Sequence, residues 1–179
     1  ESHNSIYTDY IALDIGGEGI FFAPTDPETA NYTATGSVDG VLTDGTMYST
    51  SQIVNFTHPI YGNRVQLYSN FNRGEVNLAG LKINSTETKT VVNITNVTGV
   101  DVNHTLYVPV NSRQGVYVCP DANIIDDVYD TCANAISFTY AEAVSGTRDA
   151  GVLAEIEGDY YKVSNVTGSG GGESNVTCG

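Results

Sequence analysis

Eight Asn-x-Thr triplets, at Asn31, Asn55, Asn84, Asn93, Asn96, Asn103, Asn165 and Asn175, are the most pointed chemistry in this 179-residue chain. Such a triplet is an acceptor for N-linked sugar, offering an amide nitrogen with a hydroxyl two residues on. Sixteen Asn, with 33 of 179 residues Ser or Thr, would give roughly three triplets by chance. All eight use Thr. This excess points to an exported, glycosylated surface protein, and three of the sites crowd into "VVNITNVTGVDVNHT" (Val91–Thr105).

Residues suited to catalysis are present but poorly arranged. His3, His58 and His104 lie in separate segments without metal-ligand spacing. His104, inside an acceptor triplet, is expected on the surface. Met47 is the only methionine, and the absence of a Cys-His-Met cluster around it counts against a cupredoxin-like copper site. No serine sits in a Gly-x-Ser-x-Gly elbow, and the glycine-rich "GGEG" and "GSGGGE" lack the Lys and helix that cradle phosphate. Glu155 and Glu157 would share one face of a strand, as a glycosidase pair does, but a solvated face is the simpler account among 21 acids. Asp121, Asp126, Asp127 and Asp130 would suit a hard cation, without the spacing of a calcium loop. Lys82, Lys89 and Lys162 are the candidates for an isopeptide cross-link, and Lys82 reads more simply as an edge lysine. The chain is therefore expected not to be an enzyme and to use no metal or cofactor.

The elements that position these residues read as strands. Tyr7, Ile11, Leu13 and Ile15 alternate onto one face of "SIYTDYIALDI". Similar runs recur about every ten residues, from "NYTATGSV" and "TMYSTSQIVNFT" to "GVYVC" and "AISFTYAEA". Asp39-Gly40, Asp44-Gly45 and Gly158-Asp159 supply turn pairs. No room is left for crossover helices, so the expected fold is all-β, an antiparallel sandwich of immunoglobulin-like or similar type. One short helix is expected between Cys119 and Cys132, capped by Asp121, with Ile124, Ile125 and Val128 on one face. The polar "NSTETKT" divides the chain into a module over 1–88, opening with a strand over 5–15, and a module over 89–179. A single sandwich over 17–179 is the alternative. The Gly-rich tail "SNVTGSGGGESNVTCG" reads as a flexible linker.

Seven Lys plus Arg against 21 acids, a formal charge of −14, oppose binding to nucleic acid or an anionic membrane. No apolar run reaches the roughly 18 residues that span a bilayer. Glu1 is not preceded by a charged and apolar leader, so the chain is read as a mature form whose signal has been removed. In an exported chain, Cys119 and Cys132 are expected to form a disulfide, worth roughly 3 kcal/mol on the chain-entropy model. Cys178 is left over.

From Val91 onward, "VYVCP" closed by a second Cys, followed by "DYYKVSNVTGSGGG", resembles modules of secreted archaeal surface glycoproteins. The resemblance covers about half the chain. It implies a cell-surface β module that carries N-linked glycans. Together with the N-terminal alternating strand, it suggests a filament subunit whose residues Tyr7, Ile11, Leu13 and Ile15 complete the sheet of an identical neighbour. The alternative is a cell-surface adhesin or surface-layer module that binds glycans or another cell.

Overall fold

The computed structural model describes residues 20–21, 24–43, 46–70, 76–167 and 169–174. The early strands are β1 (Ile20–Phe21), β2 (Thr33–Thr43), β3 (Thr46–His58), β4 (Gly62–Asn70), β5 (Val76–Asn77), β6 (Lys82–Ser85) and β7 (Lys89–Asn93). They are followed by β8 (Val100–Pro109), β9 (Gly115–Cys119) and β10 (Ile136–Thr139), then the helix α1 (Tyr140–Ser145). The chain continues through β11 (Thr147–Asp149), β12 (Val152–Glu157), β13 (Tyr160–Thr167) and β14 (Ser169–Glu173).

Two sheets dominate. One has seven strands in the order β11-β12-β13-β8-β4-β3-β2, the other five in the order β10-β9-β14-β7-β6, and β1 pairs with β5 separately. All pairings within the two large sheets are antiparallel. The alternation of apolar residues makes the core. Val54 and Phe56 of β3, Val65 and Leu67 of β4, and Leu106 of β8 meet Ile83 of β6 and Val92 of β7. Farther along, Val108, Val163 and Ala154 meet Val116, Val118 and Phe138. Residue 88 lies in the turn joining β6 to β7, and strands from both sides of it are hydrogen-bonded neighbours in both sheets. The Gly158-Asp159 turn joins β12 to β13 as its sequence suggests.

Four local expectations are corrected. Asp39-Gly40 makes a register shift inside β2 and not a turn, since Gly within a strand accommodates a bulge as readily as a reversal. The disulfide loop holds only a 3-10 turn, Ile125–Asp127. Asp127 there accepts hydrogen bonds from the backbone of Asn123 and Ile124, while Ile124 is exposed. The α-helix is instead α1, which takes over from β10 at Tyr140, midway through the run "AISFTYAEA" that reads as one strand. Its capping box has the Thr139 hydroxyl accepting from Glu142 N and the Glu142 carboxylate accepting from Thr139 N.

The fourth correction concerns the glycine-rich segment. Ser169–Glu173 is a central strand between β7 and β9, and all five of its residues are buried. Both of its faces are crowded. A Cβ on Gly170 would overlap Val128 Cγ2, one on Gly171 would press on Leu106 and Val108, and one on Gly172 would overlap the Tyr117 hydroxyl. Glycine is used here for close approach. The outer face of this sheet is roofed by the loop between Cys119 and Cys132, which are disulfide-bonded with Cα atoms 5.9 Å apart. Val128 and Ala122 of that loop pack on Val91 and Tyr117.

Candidate assembly edge and acceptor surface

Seven of the eight acceptor asparagines lie among the described residues. Asn31, Asn96 and Asn165 are exposed, and Asn55, Asn84, Asn93 and Asn103 are half-buried. Asn96 occupies the turn between β7 and β8, where Val97 N donates to Ile94 O at 3.0 Å. Asn165 takes a left-handed backbone, φ 63°, at the irregularity in β13, a conformation that Asn tolerates better than most side chains. Its Nδ2 donates to Gly151 O at 2.8 Å. On β3, Asn55 Oδ1 accepts from Gln66 Nε2 at 2.8 Å. The partner hydroxyl distinguishes one triplet: Thr33, Thr86, Thr95, Thr98 and Thr167 are exposed, whereas Thr105 is fully buried. Asn175, Cys178 and His3 lie outside the described residues, as do Tyr7, Ile11, Leu13 and Ile15.

Along "VVNITNVTGVDVNHT" the alternation of the strands sets the direction of the valines but not their burial. Val92 is fully buried, whereas Val102, in step with the inward-facing His104 and Leu106, is 65% exposed. There β13 stops at Thr167, opposite Asn103, and the sandwich opens into a groove that Val102 lines. His104 reverses its expected place, being buried with its Nε2 3.4 Å from Ser169 Oγ. Burial holds its pKa down at about 4, so it is neutral at pH 7.

The remaining candidates for chemistry are engaged structurally. His58 Nδ1 accepts from the backbone of Ile60 and Tyr61 at 3.1 and 3.2 Å, and its ring stacks on Tyr61. Glu157 pairs with Lys162 Nζ at 2.6 Å, and Glu155 lies opposite Lys162 in the ladder. Asp121 accepts from Asn134 Nδ2 at 3.1 Å. Among the described residues, no group of three or more His, Cys, Asp or Glu is placed to hold a metal ion. Lys82 is exposed on β6, an edge strand.

Arg64 escapes sequence reasoning. The ladder passes from Phe56↔Val65 to Thr57↔Asn63, leaving Arg64 as the extra residue of a bulge. Bulges re-aim side chains, and Arg64 is only 1% exposed. Its guanidinium donates to Tyr107 O at 3.4 Å and to Thr86 O at 3.2 Å, bracing the seven-stranded sheet to the turn between β6 and β7. Tyr61 lies across it at 5.6 Å. Burial lowers its pKa from the ordinary value. An isolated basic residue in a strand announces none of this.

A row of hydrogen-bonded side chains crosses the outer face of the larger sheet. Gln66 joins Asn55 on β3, Tyr68 donates to Gln66 at 3.0 Å, Tyr68 and Thr105 share a bond of 3.2 Å, and Thr105 donates to Ser164 at 3.3 Å. The edges of the sheets are unequal. β11, β10 and β6 have three, four and four residues, whereas β2 has eleven. Among the described residues no strand pairs with the outer side of β2. The β2–β3 hairpin also outruns its neighbour, since β4 pairs with β3 only from Ser51 onward.

No family model, curated protein or solved structure matches the chain. Among the described residues, no helix is long and apolar enough to cross a membrane.

Proposed function

We propose that this chain is a structural subunit of an extracellular, N-glycosylated filament of the archaeal surface type, polymerised by strand exchange between identical copies. The observation that carries this reading is the edge at β2. An eleven-residue edge, about 35 Å long at the usual rise, offers a row of backbone donors and acceptors for an added strand. The other edges of the two sheets are three or four residues long, which is how sheets ordinarily avoid pairing. The added strand is the N-terminal segment of a neighbour, with Tyr7, Ile11, Leu13 and Ile15 alternating onto its apolar face. Repeated head-to-tail addition gives an open polymer. Glycans on the acceptor asparagines coat the faces between contacts.

Electron microscopy and sedimentation of two forms test this reading. The full chain should give filaments, and a form lacking residues 1–15 should give soluble monomers that become capped by an added peptide of that segment. Normal filaments from the truncated form would sink the proposal.

A second reading, an adhesin that binds glycans through a sheet face, is favoured by the polar row from Asn55 to Ser164. Fixed amides and hydroxyls on a flat face suit sugar hydroxyls. It predicts a monomer of full-length chain that binds immobilised saccharides and loses them on Gln66→Ala.

A further inference from the structure

We propose that the groove between the β7–β8 turn and the disulfide loop is a saccharide cradle that seats the innermost sugars of a glycan carried by Asn93. This inference rests on the glycan-coated reading above. The groove has a volume of about 510 Å³, within the roughly 300–1,000 Å³ of sites that enclose small ligands. Its floor is aliphatic: Ile94, Val97 and Val100 are half-buried against the core, and Val102 is 65% exposed. Its rim is polar, formed by Asn93, Asn123, Asp121 and Thr167.

That division selects the occupant. A pyranose ring has a C–H face and an edge of hydroxyls, matching floor and rim together. An apolar peptide would cover the floor but pair with none of the donors and acceptors that the rim has left over, such as the second Asn93 amide hydrogen, which is costly on burial. An anion would meet Asp121 and a chain of net charge −14.

Asn93 is held ready for attachment. Its Oδ1 accepts from Thr95 N at 2.9 Å, and its Nδ2 donates to Asn123 Oδ1 at 3.0 Å. Asn123 is itself fixed, its Nδ2 donating to Asp121 O at 3.0 Å. An amide nitrogen has two hydrogens, and the second has no partner among the described residues. Transfer from a lipid-pyrophosphate-linked oligosaccharide joins Nδ2 to the anomeric carbon and breaks the bond from that carbon to phosphate oxygen. The lipid pyrophosphate leaves with the electron pair, and Nδ2 loses one proton. The remaining N–H keeps the bond to Asn123, so the sugar starts at the groove wall with its direction set.

The test uses the full chain from a host that attaches N-glycans, with Thr95→Ala removing the acceptor and Thr95→Ser keeping it. Neither substitution touches the Asn93 side chain. Glycopeptide mass spectrometry reads occupancy, and amide hydrogen exchange reads residues 94–102 and 120–123. Asn93 should be occupied in wild type and Thr95→Ser, with exchange in those segments about tenfold slower than in Thr95→Ala. Val102→Ser should keep the occupancy and lose the protection. An unmodified Asn93 would overturn the cradle by removing its occupant. Full occupancy with equal exchange in wild type and Thr95→Ala would overturn the cradle alone and leave the glycan coat standing.

Discussion

His104 Nε2 lies 3.4 Å from Ser169 Oγ, a hydrogen bond that joins β8 of the larger sheet to β14 of the smaller. Both residues are fully buried. The imidazole is thus a neutral polar link inside the sandwich, and its neutrality has a cost that depends on pH.

In the unfolded chain this histidine titrates near 6.5, and in the folded chain near 4. Below pH 6.5 the unfolded state binds a proton that the native state refuses, so stability falls as the pH drops. The loss is complete near pH 4 and amounts to about 3 kcal/mol from this group. Urea unfolding at pH 7 and pH 4.5 measures it. His104→Gln, which does not titrate, should show a shallower fall across that window. An identical pH slope in wild type and variant would contradict the assignment.

The position of Gly170 makes a prediction about the strand that sequence reading takes for a linker. An added methyl there meets Val128 Cγ2 from the disulfide loop and Thr90 O from β7. Gly170→Ala should therefore cost about 2 kcal/mol, in the range of overpacked cores. In a Val128→Ala background the same substitution should cost about 1 kcal/mol less, because the colliding methyl is gone. A thermal or denaturant double-mutant cycle supplies the comparison.

Much of this sandwich was legible because its strands bury one face, so that Val54 and Phe56, or Val152 and Ala154, advertise it by alternation. β14 was not legible. Its glycines have no side chains to alternate, and only the packing of Val128 and Tyr117 explains them. The helix α1 left a readable trace, the Thr139 and Glu142 capping box, overshadowed by the β-branched and aromatic residues before it. Arg64 depends on a bulge, which changes register without changing composition. His104 was misplaced because its acceptor triplet suggests exposure, while alternation with Leu106 points it inward.

Reducing the Cys119–Cys132 disulfide should affect more than the loop it closes. The loop roofs Val91, Tyr117 and the glycines of β14. The double variant Cys119→Ala with Cys132→Ala should lose about 3 kcal/mol. Hydrogen exchange should locate the loosening in β7, β9 and β14, with β3 and β4 unchanged at their own local level. Uniform loosening of both sheets would mean that the roof is not a separate layer.

Thr105 and Thr98 separate a hydroxyl needed by the fold from one available only to a transferase. Thr105 is fully buried, bonded to Ser164 Oγ at 3.3 Å and to the Tyr68 hydroxyl at 3.2 Å. Thr98 is exposed, and its bonds to Asn77 are made by its backbone. In protein from a bacterial host that adds no glycan, Thr105→Ala should cost about 1–2 kcal/mol, because buried partners lose their bonds. Thr98→Ala should stay within about 0.5 kcal/mol of wild type. Denaturant midpoints with unchanged slopes give the two values. The buried hydroxyl also sets an order of events, since a transferase that needs Thr105 can reach it only before β8 is packed between β4 and β13. Pulse labelling should accordingly show sugar being added at Asn103 only to newly made chains. Addition at Asn103 to protein already folded and disulfide-bonded would disprove that order.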